Sequence, residues 1–121
     1  MGGVDRSNVA RGRWGEQRAV THYERLGFSV VARNWRPHGY GVRGDLDLIV
    51  GIDDLVVVCE VKARRAGSPG GAVAAVSAAK QAQVRQLAEL WLAEQGNPDV
   101  RVRFDVIAID GVTVTHYDDA F

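Results

Sequence analysis

The sequence predicts an α/β domain in which a central mixed β-sheet is flanked by helices. Two segments place apolar residues at helical spacing, and five others have the composition of β-strands. These segments follow one another in the order αβββαββ, which favours a sheet covered by one helix on either side. A chain of 121 residues with 46% hydrophobic residues is long enough to form one such domain, which we place over residues 9–121.

The first helix is expected to begin near Ser7 or Asn8, after a flexible tail over residues 1–8, and to end at Gly27. Its buried stripe is predicted to contain Ala19, Val20, Tyr23 and Leu26. That stripe continues backwards through Glu16, so this carboxylate is expected to face the sheet rather than solvent.

The second helix is expected to begin after Ser77 and to end at Gly96. Its buried stripe is predicted to contain Val84, Leu87, Leu90 and Trp91. Lys80 falls in the first turn, where a cation opposes the helix dipole, and Gln83 lies one turn further on. A cation in this position hints at contact with a polyanion.

The five strands are predicted over residues 28–36, 45–51, 55–63, 100–109 and 112–117. Tight turns are expected at Asp53–Asp54 and at Asp110–Gly111. Residues 66–72, AGSPGGA, have the composition of a mobile loop.

The two central strands carry ionisable residues inside apolar runs, in the stretch GDLDLIVGIDDLVVVCEVK. If the Asp53–Asp54 turn sets their register, Asp47 lies opposite Glu60. Alternation places Lys62 on the same face as Glu60. Two carboxylates facing each other in a half-buried sheet repel unless a cation lies between them.

Carboxylate oxygens are hard ligands suited to Mg²⁺ or Mn²⁺, which use one or two of them together with water and phosphate oxygens. Lys62 would hold the attacking water or a charged phosphate, and Glu16 would add a ligand from the first helix. These parts describe metal-assisted hydrolysis of a phosphodiester. An ion-pair network on an exposed sheet face explains the same pattern. Asp45 is either a further ligand or the cross-strand partner of Lys62, and we favour the partner.

Several longer motifs, GEQRAVTHYERLGFSVVARNWR, GDLDLIV, CEVKARR, the Lys80 region and RFDVIAI through the terminal AF, resemble the small bacterial YraN family. That family belongs to the PD-(D/E)XK nuclease superfamily, has the restriction-endonuclease-like fold, and is similar to archaeal Holliday-junction resolvases. The resemblance covers residues 9–121. It implies that Asp47, Glu60 and the Val61 backbone carbonyl bind the metal, that Lys62 is catalytic, and that Glu16 is the helix-borne acid.

The sequence therefore predicts a Mg²⁺- or Mn²⁺-dependent endonuclease acting on DNA, including branched or single-stranded DNA. The alternative is a nucleic-acid- or protein-binding module that keeps the nuclease fold without catalysis. Predicted phosphate contacts are Arg64, Arg65, Lys80, Arg11, Arg13 and Arg18, although exposed arginines are equally often only solubilising. A homodimer is a weaker expectation, since resolvase-like domains often pair.

Charge is unevenly distributed in a chain whose net charge is zero. Residues 1–43 carry eight arginines and three acids, whereas residues 44–121 carry seven basic and twelve acidic residues. This asymmetry predicts a basic face beside an acidic one, or simply solvated helix charges.

The remaining sequence features bear on the cellular location of the protein and on the roles of its cysteine and histidines. Cys59 is the only cysteine, and the sequence shows neither a signal peptide nor an apolar segment of membrane-spanning length. We therefore expect a cytoplasmic protein without a membrane partner. His22, His38 and His116 lack zinc-ligand spacing and are interpreted as surface residues, while Asp105 is expected to pair with a preceding arginine.

Overall fold

The computed structural model describes residues 6–39, 41–64, 76–96 and 99–121, without the side chains of residues 6–13 and 64. The predicted loop over residues 66–72 and the first five residues of the predicted tail lie outside this part of the chain. Neither described helix is long and apolar enough to cross a membrane.

The described residues form two helices and five strands in the predicted order. The elements are α1 (Arg6–Arg25), β1 (Ser29–Trp35), β2 (Leu46–Ile52), β3 (Leu55–Arg64), α2 (Ala78–Gln95), β4 (Arg101–Asp110) and β5 (Thr113–Tyr117). The strands lie side by side in sequence order; only β3 and β4 are parallel, and the other neighbours are antiparallel. This is the mixed sheet of the restriction-endonuclease-like fold that the resemblance implied.

Helix α1 covers one face of the sheet. Its Ala19, Val20 and Tyr23 are buried against Leu48, Val50, Val57, Cys59, Ile107 and Ile109. Leu26 was predicted on this stripe, but it is 51% exposed. The reason is that α1 ends at Arg25, so Leu26 lies in the turn that leads to Gly27 and no longer follows helical spacing.

Helix α2 packs toward the other face of the sheet. The predicted caps are confirmed: the Ser77 side chain accepts a hydrogen bond from the Lys80 backbone N–H, and Gly96 adopts the left-handed conformation. The buried residues of the helix are Val84, Leu87, Ala88 and Trp91. Leu90 was predicted on this stripe but is only half-buried, because Ala88 takes the inward position beside Leu87.

Asp105 anchors α1 to the sheet. This buried carboxylate accepts hydrogen bonds from the Tyr23 hydroxyl at 2.8 Å and from Nε and Nη2 of Arg103 at 2.8 and 2.9 Å. The backbone N–H of Asp119 donates to the same carboxylate at 3.0 Å. The predicted ion pair between Asp105 and a preceding arginine is thereby confirmed, with Arg103 as the partner.

Candidate functional site

The predicted register of the two central strands is confirmed over most of their length, and then the strands separate. Ile52 pairs with Leu55, and the ladder continues to Leu48 opposite Cys59. Beyond that pair β2 stays bonded to β1 as far as Leu46, whereas β3 stays bonded to β4 as far as Arg64. We call the opening between residues 46–47 and residues 60–62 the strand fork.

Asp47 lies at the strand fork because β2 changes face there. Leu46 packs against the α2 side of the sheet, but Leu48 packs against the α1 side. A regular strand would place these two residues on one face. The carboxylate of Asp47 reaches β3 instead, and its Oδ2 accepts a hydrogen bond from the Val61 backbone N–H at 3.0 Å. The Asp47 side chain therefore takes the place of the next backbone hydrogen bond between β2 and β3. Asp47 and Glu60 are not paired directly opposite each other in the sheet.

The backbone of Val61 also contributes to the strand fork. In a strand the N–H and C=O groups of one residue point to the same edge. Since the Val61 N–H meets Asp47, the Val61 carbonyl oxygen points into the same opening. The position of this carbonyl fits the role that the resemblance gave it.

Glu60 is buried in an unusual way. Its side chain is 2% exposed, yet Oε1 has no hydrogen-bond partner among the described residues. The other oxygen, Oε2, lies 4.0 Å from Nζ of Lys80 on α2. A buried carboxylate oxygen without a partner is unfavourable unless a proton or a cation reaches it.

Burial and neighbouring charge weaken both acids of the strand fork. Burial, followed by the negative charge of Asp47, raises the pKa of Glu60 to about 7, against the opposing effect of Lys80 and Lys62. Burial also raises the pKa of Asp47, although the Val61 N–H favours its ionised form. Glu60 therefore holds a proton more readily than an ordinary glutamate, and a divalent cation shared by the two carboxylates would favour its ionised form.

Glu16 and Asp45 act on this pair through their charges. The half-buried Glu16 accepts a hydrogen bond from the Asn34 side chain at 3.2 Å, and its charge acts with that of Asp45 to raise the pKa of Asp47. Asp45 and Lys62, both described, form no ion pair within 4.0 Å. That predicted pairing is wrong because the strands separate before they reach it.

The donor set of the strand fork fits a hard divalent cation. It offers two carboxylates and a backbone carbonyl, and one buried carboxylate oxygen has no partner in the described part of the chain. Across the described ranges, no group of three or more His, Cys, Asp or Glu side chains is arranged to hold a metal. A site of this composition suits Mg²⁺ or Mn²⁺, which complete their shell with water and phosphate oxygens, rather than Zn²⁺.

The segment that leads into β2 is fixed by Gly44 and Gln83. Nε2 of Gln83, on α2, donates to the Arg43 carbonyl at 2.9 Å. Gly44 has a φ of +110°, and a Cβ atom there would lie 2.6 Å from the same Nε2 atom. The missing side chain thus lets α2 hold the entrance to Asp47.

We expect Gly44→Ala to destabilise the protein by about 1–3 kcal/mol, through backbone strain and loss of the Gln83 hydrogen bond. Gly39→Ala is the matched control, because Gly39 also has a positive φ of +80° but a Cβ there would contact nothing within 4 Å. Urea unfolding of both variants measures the difference. Equal losses of stability would show that the Gln83 contact contributes nothing.

The remaining predicted residues are dispersed. Arg18 lies on α1, where Nη2 donates to the Val112 carbonyl at 2.6 Å in the turn between β4 and β5. The side chains of Arg11, Arg13 and Arg64, and all of Arg65, lie outside the described residues. The structure therefore brings Glu16, Asp47, Glu60, Lys62 and Lys80 into one electrostatic cluster and places Arg18 apart from it.

Two features of the molecule were not foreseen. The contact between Lys80 and Glu60 turns a predicted phosphate contact into a partner of the buried acid, and the only signal was a lysine misplaced in the first helical turn. His22 and His116 were interpreted as surface residues, but both are half-buried, and their ring nitrogens lie 3.1 Å apart. No sequence signal links these two histidines, because 94 positions separate them.

Comparison with known proteins shows which protein family this chain is related to. The model of the uncharacterised protein family UPF0102 matches residues 15–109, which include every acid of the strand fork. The chain belongs to the UPF0102 family. This result confirms the resemblance to the YraN family, which is the same family.

Members of the UPF0102 family match nearly the whole chain. A UPF0102 protein of Acidothermus cellulolyticus is 38% identical over 136 residues, covering 100% of both chains. One from Frankia casuarinae is 39% identical over 96% of this chain and 99% of its own. One from Streptomyces coelicolor is 38% identical over 89% of this chain and 82% of its own. These similarities establish the family, which is described only as uncharacterised.

Proposed function

We propose that this UPF0102 protein is a Mg²⁺- or Mn²⁺-dependent nuclease that hydrolyses phosphodiester bonds in DNA. The observation that carries the proposal is the buried Oε1 atom of Glu60, which has no partner among the described residues and lies in the strand fork beside Asp47, with the charges of Lys62 and Lys80 nearby. Stability alone gives no reason to keep such an atom. A cation-binding function gives one.

The metal would be held by Asp47, Glu60 and the Val61 carbonyl, with Glu16 as an outer partner through water. When bound, it would offset the negative charge that develops on the phosphoryl oxygens during hydrolysis. The remaining ligand positions would belong to water and to the DNA phosphate. Separation of β2 from β3 leaves the space for them, because no backbone rung closes the opening.

The two lysines have different roles in this arrangement. Lys80 approaches Glu60 from α2 and balances part of its charge, so it positions the carboxylate. Lys62 stands on β3 two residues after Glu60, and its charge also lowers the pKa of that acid. We assign Lys62 to the reacting phosphate, where its ammonium group orients the attacking water and stabilises the developing charge.

A second candidate function follows from the small number of ligands. With two carboxylates at the strand fork and a net charge of zero, the protein would also suit a binding module that retains the nuclease fold. Such a module would bind DNA without cutting it. Loss of DNA binding with rising salt would identify arginine contacts to phosphates in either case.

The test is cleavage of duplex, flap, single-stranded and four-way-junction DNA in the presence of Mn²⁺. We expect cutting by the natural protein, and background activity for Lys62→Met, with Mn²⁺ binding by calorimetry unchanged because Lys62 is not a ligand. Sedimentation of the same samples with and without junction DNA determines whether the protein pairs on its substrate.

Arg101→Met is the matched control for the loss of one positive charge. Arg101 is exposed, pairs with Asp54, and lies beside Leu55 at the other end of β3. Five residues of strand, about 17 Å, separate Leu55 from Glu60. Cleavage that survives Lys62→Met, or Mn²⁺ binding without cleavage of any DNA in the panel, would contradict the proposal.

A further inference from the structure

A second polar site lies on the α1 side of the sheet, whereas Glu60 and Lys80 meet on the α2 side. It is a cavity of about 360 Å³ lined by Gln17, Arg18, Thr21, His22, Arg25 and Val114. The lining brings together two guanidinium groups and one imidazole with a hydroxyl and an amide. This set of donors excludes a cation and favours an anion.

A chain of hydrogen bonds leads from the sheet to this cavity. Asp105 Oδ2 lies 2.7 Å from Nε2 of His116, and Nδ1 of His116 lies 3.1 Å from Nε2 of His22. An ionised carboxylate only accepts hydrogen bonds, so Nε2 of His116 carries a hydrogen. When both rings are neutral, His22 must then donate through Nε2. Nδ1 of His22 is left without a proton, as the ring nitrogen available to a ligand.

The groups around this chain of hydrogen bonds determine which atoms donate and which accept. Burial acts to raise the pKa of Asp105, but hydrogen bonds from Arg103, His116 and Tyr23 lower it, so the carboxylate is ionised and holds His116 in one orientation. At the other end, burial and the charges of His116 and Arg25 lower the pKa of His22. His22 is therefore neutral at neutral pH, and one additional proton on the chain would turn its Nδ1 from an acceptor into a donor.

Arg18 and Arg25 complete the site from the same helix. Arg18 is already oriented, because it donates to the Val112 carbonyl and its guanidinium lies 4.7 Å from the centre of the Trp14 ring. Arg25, one turn beyond His22, lines the same cavity. A dianion between them would supply the charge that the paired histidines need in order to hold an extra proton.

We propose that this cavity binds a phosphate monoester group, or free phosphate, with uptake of one proton by the His22–His116 pair. In the bound state Arg18 and Arg25 donate to the phosphate oxygens and the protonated His22 donates through Nδ1. The site is separate from the strand fork, and its occupancy does not depend on nuclease activity. The terminal phosphate of a nucleic acid and a free phosphate or mononucleotide share the chemistry that it recognises.

The test is a titration of the natural protein with sulfate, followed through the ring resonances of its three histidines by NMR. Sulfate remains a dianion between pH 5 and 8, so any pH dependence belongs to the protein. We expect the resonances of His22 and His116 to shift together, and the affinity to rise by up to about tenfold per pH unit as the pH falls through the titration of His22. The exposed His38 serves as the internal control.

Variants then test which residues bind the anion, and different ligands test whether the phosphate is free or belongs to a nucleic acid. His22→Asn and Arg25→Gln should each abolish the response, whereas Arg101→Gln should not change it. Inorganic phosphate, a 5′-phosphorylated oligonucleotide and its 5′-hydroxyl counterpart distinguish a free phosphate from the end of a nucleic acid. A shift of His22 no larger than that of His38, or an affinity independent of pH, would overturn the proposal even if a variant failed to fold.

Discussion

Glu60→Gln is expected to stabilise the metal-free protein at pH 8 by up to about 3 kcal/mol. The natural side chain is buried beside Asp47, has one oxygen without a partner among the residues that the structure describes, and has a pKa raised to about 7. Glutamine has nearly the same shape and carries no charge at any pH. The variant therefore removes the unfavourable ionisation of Glu60 without opening a cavity.

The sign of this effect depends on pH. Below about pH 4.5, the ordinary value for Glu, the carboxyl group is protonated in the folded and unfolded protein, so ionisation of Glu60 adds no difference between variant and natural protein. As the pH rises toward 7, only the unfolded state loses this proton freely, and the natural protein loses stability relative to the variant. The difference reaches its full size above pH 7.

Mn²⁺ should reverse the order of stability, so that the natural protein becomes more stable than Glu60→Gln. The cation requires the ionised carboxylate, so it should raise the melting temperature of the natural protein more at pH 8 than at pH 5.5, and should have little effect on Glu60→Gln. Glu89→Gln, which changes an exposed acid on α2, is the matched control for both measurements. A difference in stability that stays constant with pH would show that Glu60 titrates normally.

Asp105→Ala is expected to destabilise the protein by about 3–5 kcal/mol, because it removes one partner of a buried ion pair. Arg103 would lose both of its charged hydrogen bonds, and the Tyr23 hydroxyl would be left buried against the sheet without its acceptor. Guanidinium unfolding measures the loss. A near-UV spectrum of the folded variant reports whether Tyr23 keeps its environment.

Asp54→Ala tests whether burial of the ion pair causes the loss of stability expected for Asp105→Ala. Asp54 pairs with Arg101 through a 2.8 Å contact of the same chemical type, but both side chains are more than half exposed. Exposed pairs contribute little, so the unfolding midpoint of this variant should hardly change. If the two aspartate variants lost similar stability, the Asp105 cluster would not have the anchoring role assigned to it.

The sequence predicts the parts of this fold that are determined locally. The Asp53–Asp54 turn sets the register of β2 and β3, and Ser77 and Gly96 mark the ends of α2 through capping chemistry within one turn of each residue. The same local register places Asp47 near Glu60, which was enough to predict the acidic pair. Elements and registers of this kind follow from short-range geometry.

Features that depend on distant segments could not be predicted in this way. The separation of β2 from β3 depends on β2 remaining paired with β1 while β3 follows β4, which no local pattern of residues specifies. The approach of Lys80 to Glu60 depends on how α2 packs across the sheet. The contact of His22 with His116 likewise arises only when α1 and β5 meet.

The hydrogen bond from Val61 to Asp47 has a mechanical consequence. Elsewhere, pulling neighbouring strands apart would break a whole series of backbone bonds, but at this place one side-chain bond bridges the two edges. The facing backbone edges of β2 and β3 are therefore left unpaired at this point, while the Gln83 contact holds the chain before Leu46 in place. On the other side, continuous pairing of β3 with β4 keeps Glu60 and Lys62 in position beside the opening.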